Sequence, residues 1–447
     1  MAATYSTQTQ IAGNFKKVFD KLTDMVTSKG FIIQDEIAPF EQRKKAGKSI
    51  SQAVVLSHEN GVTFGGSAGG SYTFADPQSQ AVQEAEIYPC EIFVSSGITT
   101  GAASRAAQEG EQAFKAATSL IVKGNLKSHK RFVEFCCLYG RDDYGVGRVG
   151  YFTATWRGIS FTNGGGALGG VTFTAGVNTT SKHILINPAD WATGLFIGAE
   201  NLEIQQIKAA DGSVEAEGKI VNVDLENAIL KVDFTPVAAT TATSHYLAMK
   251  AQAAGTAGGT LDMIGAKKIL TTTASSFGID PVAYGLWKGL KYGCGAKRLT
   301  FPRLMEAVQK GCDRGLDRDV EVVTSYDSWR TLMVDQAALR QYDDSYTPTE
   351  AVNGSEAITF HFLNGKISIR PSRFVRRSDT FIFASGDWKR FGSSDLSLKI
   401  PGFEDDLMVK PINNNLFIFR SFSDQQVFCY MPSQSVFVDG IDPDSAT

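Results

Sequence analysis

The chain has 447 residues, of which 43% are hydrophobic and 20% charged, and its formal net charge is −3. That length accommodates two or three units of roughly 100–200 residues, and the composition supports a packed core and argues against disorder. The slight acidic balance excludes a nucleic-acid binder that works chiefly by neutralising phosphates, which needs a clear basic excess.

No apolar run reaches the ~18–20 residues of a membrane span. The opening stretch 1–7 lacks the basic-then-apolar order of a signal peptide. The expectation is a chain made in a cytoplasm, with no membrane partner. Six cysteines, at 90, 136, 137, 294, 312 and 429, include no Cys-x-x-Cys pair and read as buried free thiols, not as a disulfide framework or a zinc site. The 29 Phe and 44 Gly suit a sheet-rich protein with long loops and large subunit contacts.

The first predicted element is an amphipathic helix over 14–29. Phe15, Val18, Phe19, Leu22, Met25 and Val26 recur at helical spacing, between a capping Asn14 and a terminating Gly30. A short helix so near the terminus needs a surface to dock on, and Phe15, Phe19 and Leu22 are the candidate contacts with a neighbouring subunit. Arg43-Lys44-Lys45 and Lys48 follow as a solvated run.

From 50 to 100, Val54-Val55-Leu56 and Ile92-Phe93-Val94 predict two strands around a glycine- and serine-rich tip at 65–71, forming an arm that cannot bury itself locally. No Lys or Arg occurs between Lys48 and Arg105, whereas Glu59, Asp76, Glu84, Glu86 and Glu91 make the arm negative. Residues 102–138 then predict a helix that would span roughly 55 Å at 1.5 Å per residue, with a bend or break at Gly124-Asn125.

The middle third reads as strand and turn. Leu202–Lys208 and Val214–Val223 flank the hairpin signal Asp211-Gly212, and Ala228–Phe234 supplies a third strand. In the last third, Thr300 and Pro302 start a helix with Leu304, Ala307, Val308 and Cys312 on one face. A strand at Glu321–Thr324 leads into a helix carrying Trp329, Leu332 and Met333. Ile358–Leu363 and Lys366–Arg370 are joined by Asn364-Gly365, the strongest hairpin signature in the chain. Strands follow at Thr380–Ala384, Leu416–Phe422, Val427–Met431 and Val436–Asp439. This order predicts an α+β fold and not a doubly wound sheet.

A search for chemistry returns no catalytic candidate. No Gly-x-x-x-x-Gly-Lys-Ser/Thr loop exists, and the glycine clusters lack the strand-to-helix setting of a dinucleotide site. Five scattered histidines give no local metal motif. The acidic pairs Asp142-Asp143 and Asp343-Asp344 and the run Glu404-Asp405-Asp406 read as solvated loops, and the one Gly-x-Ser-x-Gly string, at 65–69, falls in the glycine- and serine-rich tip and not on a strand-to-helix elbow. The expectation is a protein that is not an enzyme and holds no cofactor or metal.

The order of parts carries more than any motif. A docking helix, a long arm, a long helix and a mixed body resemble the Hong Kong 97-like fold of tailed-bacteriophage major capsid proteins. The middle segment is similar to the β-rich stretch of phage coat proteins at Leu195–Gly198, Glu203-Ile204, Asp211-Gly212, Gly218–Asp224 and Ala228–Val232. Phe277–Pro281 and Trp287–Gly289 resemble the linker placed before their next helix.

The resemblance implies an N-terminal arm at 1–48, an extended loop at 49–101, and a spine helix opening the peripheral domain at 102–150. It further implies a β-rich segment with linkers at 151–290, and an axial domain with the remaining peripheral strands at 291–447. It implies hexamers and pentamers of an icosahedral head around double-stranded DNA contacted non-specifically, assembled in a host cytoplasm and ending in the virion. Portal and decoration proteins are implied partners, and so is a separate scaffolding protein, since no scaffolding region precedes residue 14. Some family members weld the shell through an extended-loop lysine; residues 49–104 hold no lysine for that bond.

The arm's Glu84 and Glu86 are expected to pair with a neighbour's basic stretch 366–390, above all Arg376 and Arg377. Competing readings are a portal or tail-tube subunit, a nanocompartment shell, and a cytosolic enzyme or carbohydrate-binding protein.

Overall fold

The computed structural model describes residues 30–43, 49–65, 67, 71–99, 111–141, 147–152, 155–156, 159–160, 179–180, 182–237, 245–250, 262–340, 358–362, 365–398 and 416–445. The helix expected over 14–29, with Phe15, Phe19 and Leu22, lies outside them.

Alternating side chains build the centre of the molecule. Thr380–Ala384 reads Thr-Phe-Ile-Phe-Ala and is buried at every position. Because successive side chains leave a strand on opposite faces, Phe381 and Phe383 point one way and Ile382 and Ala384 the other. The neighbouring Val320–Thr324 and Val436–Ile441 repeat the division. Val323 and Phe437 join the aromatic face, while Val320, Val322, Val436 and Val438 join the aliphatic one. One six-stranded mixed sheet thus supports two cores. Its order is Leu290–Lys297, Val436–Ile441, Thr380–Ala384, Val320–Thr324, Gly365–Pro371, Ile358–Phe362.

The aliphatic face is covered by the helix Phe301–Cys312, whose Leu304, Ala307, Val308 and Gly311 are buried at helical spacing. Pro302 sits in its first turn, but Thr300, at the cap position, makes no side-chain capping bond. The aromatic face meets the end of the long helix Glu111–Tyr139. Tyr139 lies 5.7 Å edge-on to Phe381, which stacks on Phe383 at 5.6 Å, and Phe383 meets Trp388 at 5.0 Å. Each such buried aromatic contributes roughly 1.5–3 kcal/mol through area alone.

The long helix differs from expectation: it runs unbroken through Gly124, and its 29 residues span roughly 43 Å. The adjacent Asn125 is tied down. Its amide donates to the Val94 carbonyl at 3.0 Å and to Ser96 Oγ at 2.8 Å, which anchors the helix to a four-stranded sheet. That sheet has the order Phe40–Gln42, Trp388–Ser397, Leu416–Cys429, Cys90–Thr99, joining both ends of the sequence.

Leu416–Cys429 was expected as two strands and forms one. Its polar middle is buried and matched: His129 sits 2.8 Å from both Ser421 and Ser423, Gln425 accepts from Arg390, and Gln426 exchanges two 3.0 Å bonds with the Ile264 backbone.

A seven-stranded antiparallel sheet contains the expected hairpin. Glu203–Lys208 pairs with Val214–Asp224, and Gly212 supplies the positive φ (+74°) of the turn. Ile229–Val232 adds beside them. Two glycines let this part approach the helix end. A Cβ on Gly265 would lie 2.4 Å from the Gly140 nitrogen, and one on Gly140 would lie 2.1 Å from the Met263 carbonyl oxygen. Five of the six cysteines are buried and Cys312 is half-buried, all as free thiols.

Candidate assembly surfaces

The arm is a two-stranded antiparallel ribbon, but its return strand is not the expected one. Ile50–Ser57 pairs with Ala81–Ile87, from Ile50 opposite Ile87 to Ser57 opposite Ala81. Ile92-Phe93-Val94 belongs to Cys90–Thr99, which pairs along Leu416–Cys429 in the body. Ile50, Ala85 and Ile87 at the arm's root, and Leu56 farther along it, enter the main core, and Glu86 N–H donates to the Phe277 carbonyl at 2.9 Å. The rest of the strand Ala81–Ile87 exposes Val82, Gln83, Glu84 and Glu86.

Beyond the root the arm exposes both charge and hydrocarbon. Glu59, Asp76, Glu84, Glu86 and Glu91 are all exposed, and Glu86 accepts from the Tyr88 hydroxyl. Phe64 is 92% exposed, Phe74 75% and Val62 66%, with Tyr72 beside them. Tyr72 and Phe74 meet edge-on at 5.5 Å, and Ala75 N–H donates to Thr63 Oγ1 at 2.6 Å, which links the two sides of the distal arm. In the sequence the tip stands out for its glycine and serine at 65–71. The missed signal was the matched pair Val62-x-Phe64 and Tyr72-x-Phe74 on either side of the glycine-rich stretch. Exposed aromatics grouped this way mark an interaction surface.

The basic stretch expected to receive the arm is mostly internal, which corrects the assignment of Arg376 and Arg377. Arg376 is 2% exposed. It pairs with Asp190 at 3.3 Å, donates to the Arg148 carbonyl, and lies 4.2 Å over the Tyr139 ring. Arg377 is buried between Asp327, at 2.8 Å, and Asp444. Arg390 donates to the carbonyls of Ala38 and Gln34 and to Gln425 and Asp395. These cations thread between sheets, and their partners come from distant segments that sequence spacing could not reveal. Arg370 pairs with Glu36, and Lys366 is exposed. No described helix is long and apolar enough to cross a membrane, and no group of metal-ligating side chains occurs among the described residues.

The N-terminal segment is pinned by a buried carboxylate. Glu134 on the long helix accepts from Ile33 N–H at 2.8 Å and Gln34 N–H at 3.1 Å, and holds the π-helical turn Ile33–Ile37 in place. Burial pushes its carboxyl up to about 7, against the pull of those bonds and of Arg390. Burial likewise lifts Asp262 to about 6 and lowers His129 to about 4.

No family model and no curated protein sequence matches the chain. Its likeness is to solved structures. The cyanophage A-1(L) capsid subunit superposes with a TM-score of 0.52 at 9% identity, covering 95% of this chain and 96% of that one. The capsid of Myoviridae phage XM1 (TM-score 0.44, 7% identity, 96% and 98% covered) and a chain from Mycobacterium phage Bobi (0.42, 8%, 97% and 98%) align over comparable lengths. With mixed sheets around a long helix and a projecting arm, the chain has the capsid fold of tailed phages.

Proposed function

We propose that the chain is the major capsid protein of a tailed bacteriophage, a subunit that self-assembles into hexamers and pentamers of an icosahedral head around double-stranded DNA. The observation that carries this reading is the end-to-end superposition on the cyanophage A-1(L) capsid subunit. The arm supports it: Phe64, Tyr72 and Phe74 are exposed, and a repeating neighbour supplies a surface to cover them.

On this reading the protein performs no catalysis and resides in the virion after assembly in the host cytoplasm. A scaffolding protein, a portal and a decoration protein are its partners, and contacts with packaged DNA are non-specific. Glu84 and Glu86 serve register, since complementary charge fixes alignment more than it adds affinity. Phe15, Phe19 and Leu22 dock the N-terminal segment on a neighbour.

Negative-stain microscopy of the purified protein, with and without its scaffold, tests the reading. Closed shells, or rings of five and six subunits, are the expected product. A monomer that persists at high concentration under every assembly condition overturns it.

A further inference from the structure

The stretch 280–287 runs past the arm's root and is held in tight turns. Asp280 Oδ1 accepts from Val282 N–H at 2.8 Å, and Tyr284 N–H donates to the Asp280 carbonyl at 3.1 Å. The turn Gly285–Trp287 ends on the buried Trp287, whose indole N–H donates to Ser276. These turns hold two apolar side chains outward: Val282 is 81% exposed and Leu286 55%. Between this ridge and the arm lies an open groove of about 720 Å³. Leu56 of the arm, Ala283, Tyr284 and Leu286 line it, as do Asp313 and Arg314 beyond the helix Phe301–Cys312. Sites that bury an apolar ligand run from roughly 300 to 1,000 Å³, so the groove is large enough to take aromatic side chains.

Groove and arm keep a fixed relation. Glu86 N–H ties the arm to the Phe277 carbonyl, and Gln83 Nε2 reaches the Tyr284 hydroxyl at 3.4 Å. Leu56 stands next to Ser57, where the paired strands end opposite Ala81. Phe64 lies eight residues beyond Leu56, up to about 26 Å farther out at ~3.3 Å per residue. None of Phe64, Tyr72 and Phe74 lines the groove at its own root.

The distal arm is shaped before it meets a partner. Tyr72 lies over Gly65, where a Cβ would come within 2.8 Å of the ring, and Tyr72 in turn meets Phe74 edge-on. A surface already ordered loses little freedom on contact. Scaled by exposure, the three aromatics offer roughly 350–550 Å² at ~150–250 Å² per ring. That is about half of the ~800 Å² a stable interface takes from each partner. The groove's lining charges cancel, since Asp313 adjoins Arg314 in the chain, so hydrocarbon selects the occupant.

We propose that the distal arm of one copy seats Phe64, Tyr72 and Phe74 in the root groove of the next copy. The inference rests on the capsid reading and adds the receiving surface to it. Giver and receiver are different patches of one chain, so the contact is head-to-tail. Repeated about a rotation axis, it closes a ring in which every subunit gives one arm and takes one. Two arms stacked tip to tip would leave Val282 and Leu286 bare.

Two full-length variants test it, Phe64→Cys and Leu286→Cys. Both carry Cys312→Ser, because Cys312 is the one native thiol that is not buried. The two are mixed under the conditions that give shells, oxidised mildly and run on a denaturing gel without reductant. A dimer band is expected from the mixture and from neither variant alone, because a disulfide needs Cα atoms within roughly 7 Å. Val282→Ser with Leu286→Ser should raise the protein concentration needed for assembly by about tenfold, with the melting temperature unchanged.

A band from Phe64→Cys alone overturns the proposal in favour of tip-to-tip pairing, and one from Leu286→Cys alone in favour of ridge against ridge. Shells that form without the mixed band overturn it and leave the capsid reading standing. Shells indifferent to the double serine substitution do the same. Subunits that never assemble overturn both.

Discussion

Arg376 sets its Nη1 3.3 Å from Oδ1 of Asp190, and the pair joins the turn before Thr380–Ala384 to the 3-10 turn Pro188–Asp190. Burial alone would raise the Asp190 carboxyl, but Arg376 and Arg148 hold it below its ordinary value. Arg376→Met would leave that carboxylate buried with its main partner gone, at a cost of about 3–5 kcal/mol. Adding Asp190→Asn removes the charge and keeps an acceptor for the Tyr151 N–H, so part of the loss should return. Urea denaturation of the two variants measures both effects, and equal stability of Arg376→Met and the parent chain would contradict the pairing.

Two glycines should respond to alanine in opposite directions. Gly265→Ala places a methyl 2.4 Å from the Gly140 nitrogen and 2.8 Å from the Leu138 carbonyl oxygen, and should cost about 2–3 kcal/mol because backbone must shift. Gly124→Ala meets nothing within 4 Å inside a continuous helix, and should stabilise by about 0.5–1 kcal/mol. Thermal melts of the two variants provide the comparison.

Stability should fall between pH 6.5 and 8 through Glu134. Its folded value of about 7 exceeds the ordinary 4.5, so the folded state holds the proton that the unfolded state has released. Stability from this group is therefore complete below the ordinary value and lost as pH rises through about 7, by roughly 1 kcal/mol over that window. Glu134→Gln should flatten the profile there, whatever it costs at every pH by disturbing the bonds to Ile33 and Gln34. Denaturation midpoints at four pH values across the window give the slope.

His129 should act in the opposite sense at lower pH. Its value drops to about 4 because burial disfavours the imidazolium, so the unfolded state takes up protons first. Its contribution is complete above the ordinary 6.5 and is lost as pH falls towards 4. NMR titration of the imidazole should show no charging at pH 5.5. A midpoint near 6.5 would show that the ring is not sealed between Ser421 and Ser423.

Assembly should depend on the distal arm and leave the fold alone. Phe64→Ser with Phe74→Ser removes hydrocarbon that is largely exposed in the single chain. The monomer should melt unchanged while shell yield, read by sedimentation, falls steeply. Serine at Phe15, Phe19 and Leu22 should act likewise through the N-terminal segment. Glu84→Lys with Glu86→Lys should shift the salt dependence of assembly, since exposed pairs contribute only about 0–1 kcal/mol each and are screened.

Turns and the most apolar strands were legible in the sequence. Asp211-Gly212 lies in the turn between the strands it was expected to join, and Ile358–Phe362 pairs with Gly365–Pro371 as the hairpin signal implied. Thr380–Ala384 was equally plain, since a strand buried on both faces is apolar throughout. What escaped was decided at a distance. The polar run at 423–426 looked like a loop because its partners, Arg390 and Ile264, lie far away in sequence. Gly124 looked like a break because propensity cannot weigh the anchoring of Asn125 on Val94 and Ser96. Arg376 and Arg377 looked like surface because nothing local announces Asp190, Asp327 or Asp444.

The four-stranded sheet sets a timetable for the newborn chain. Among the described residues, Cys90–Thr99, at the base of the arm, pairs only with Leu416–Cys429, late in the sequence. At roughly 5–20 residues per second the ribosome needs about 15–60 s to deliver that partner. Until then the arm has no fixed direction, and its bare aromatics hang from an unfinished base. A half-made chain therefore shows its apolar arm before the arm's base is fixed, and aggregation is the hazard of that interval.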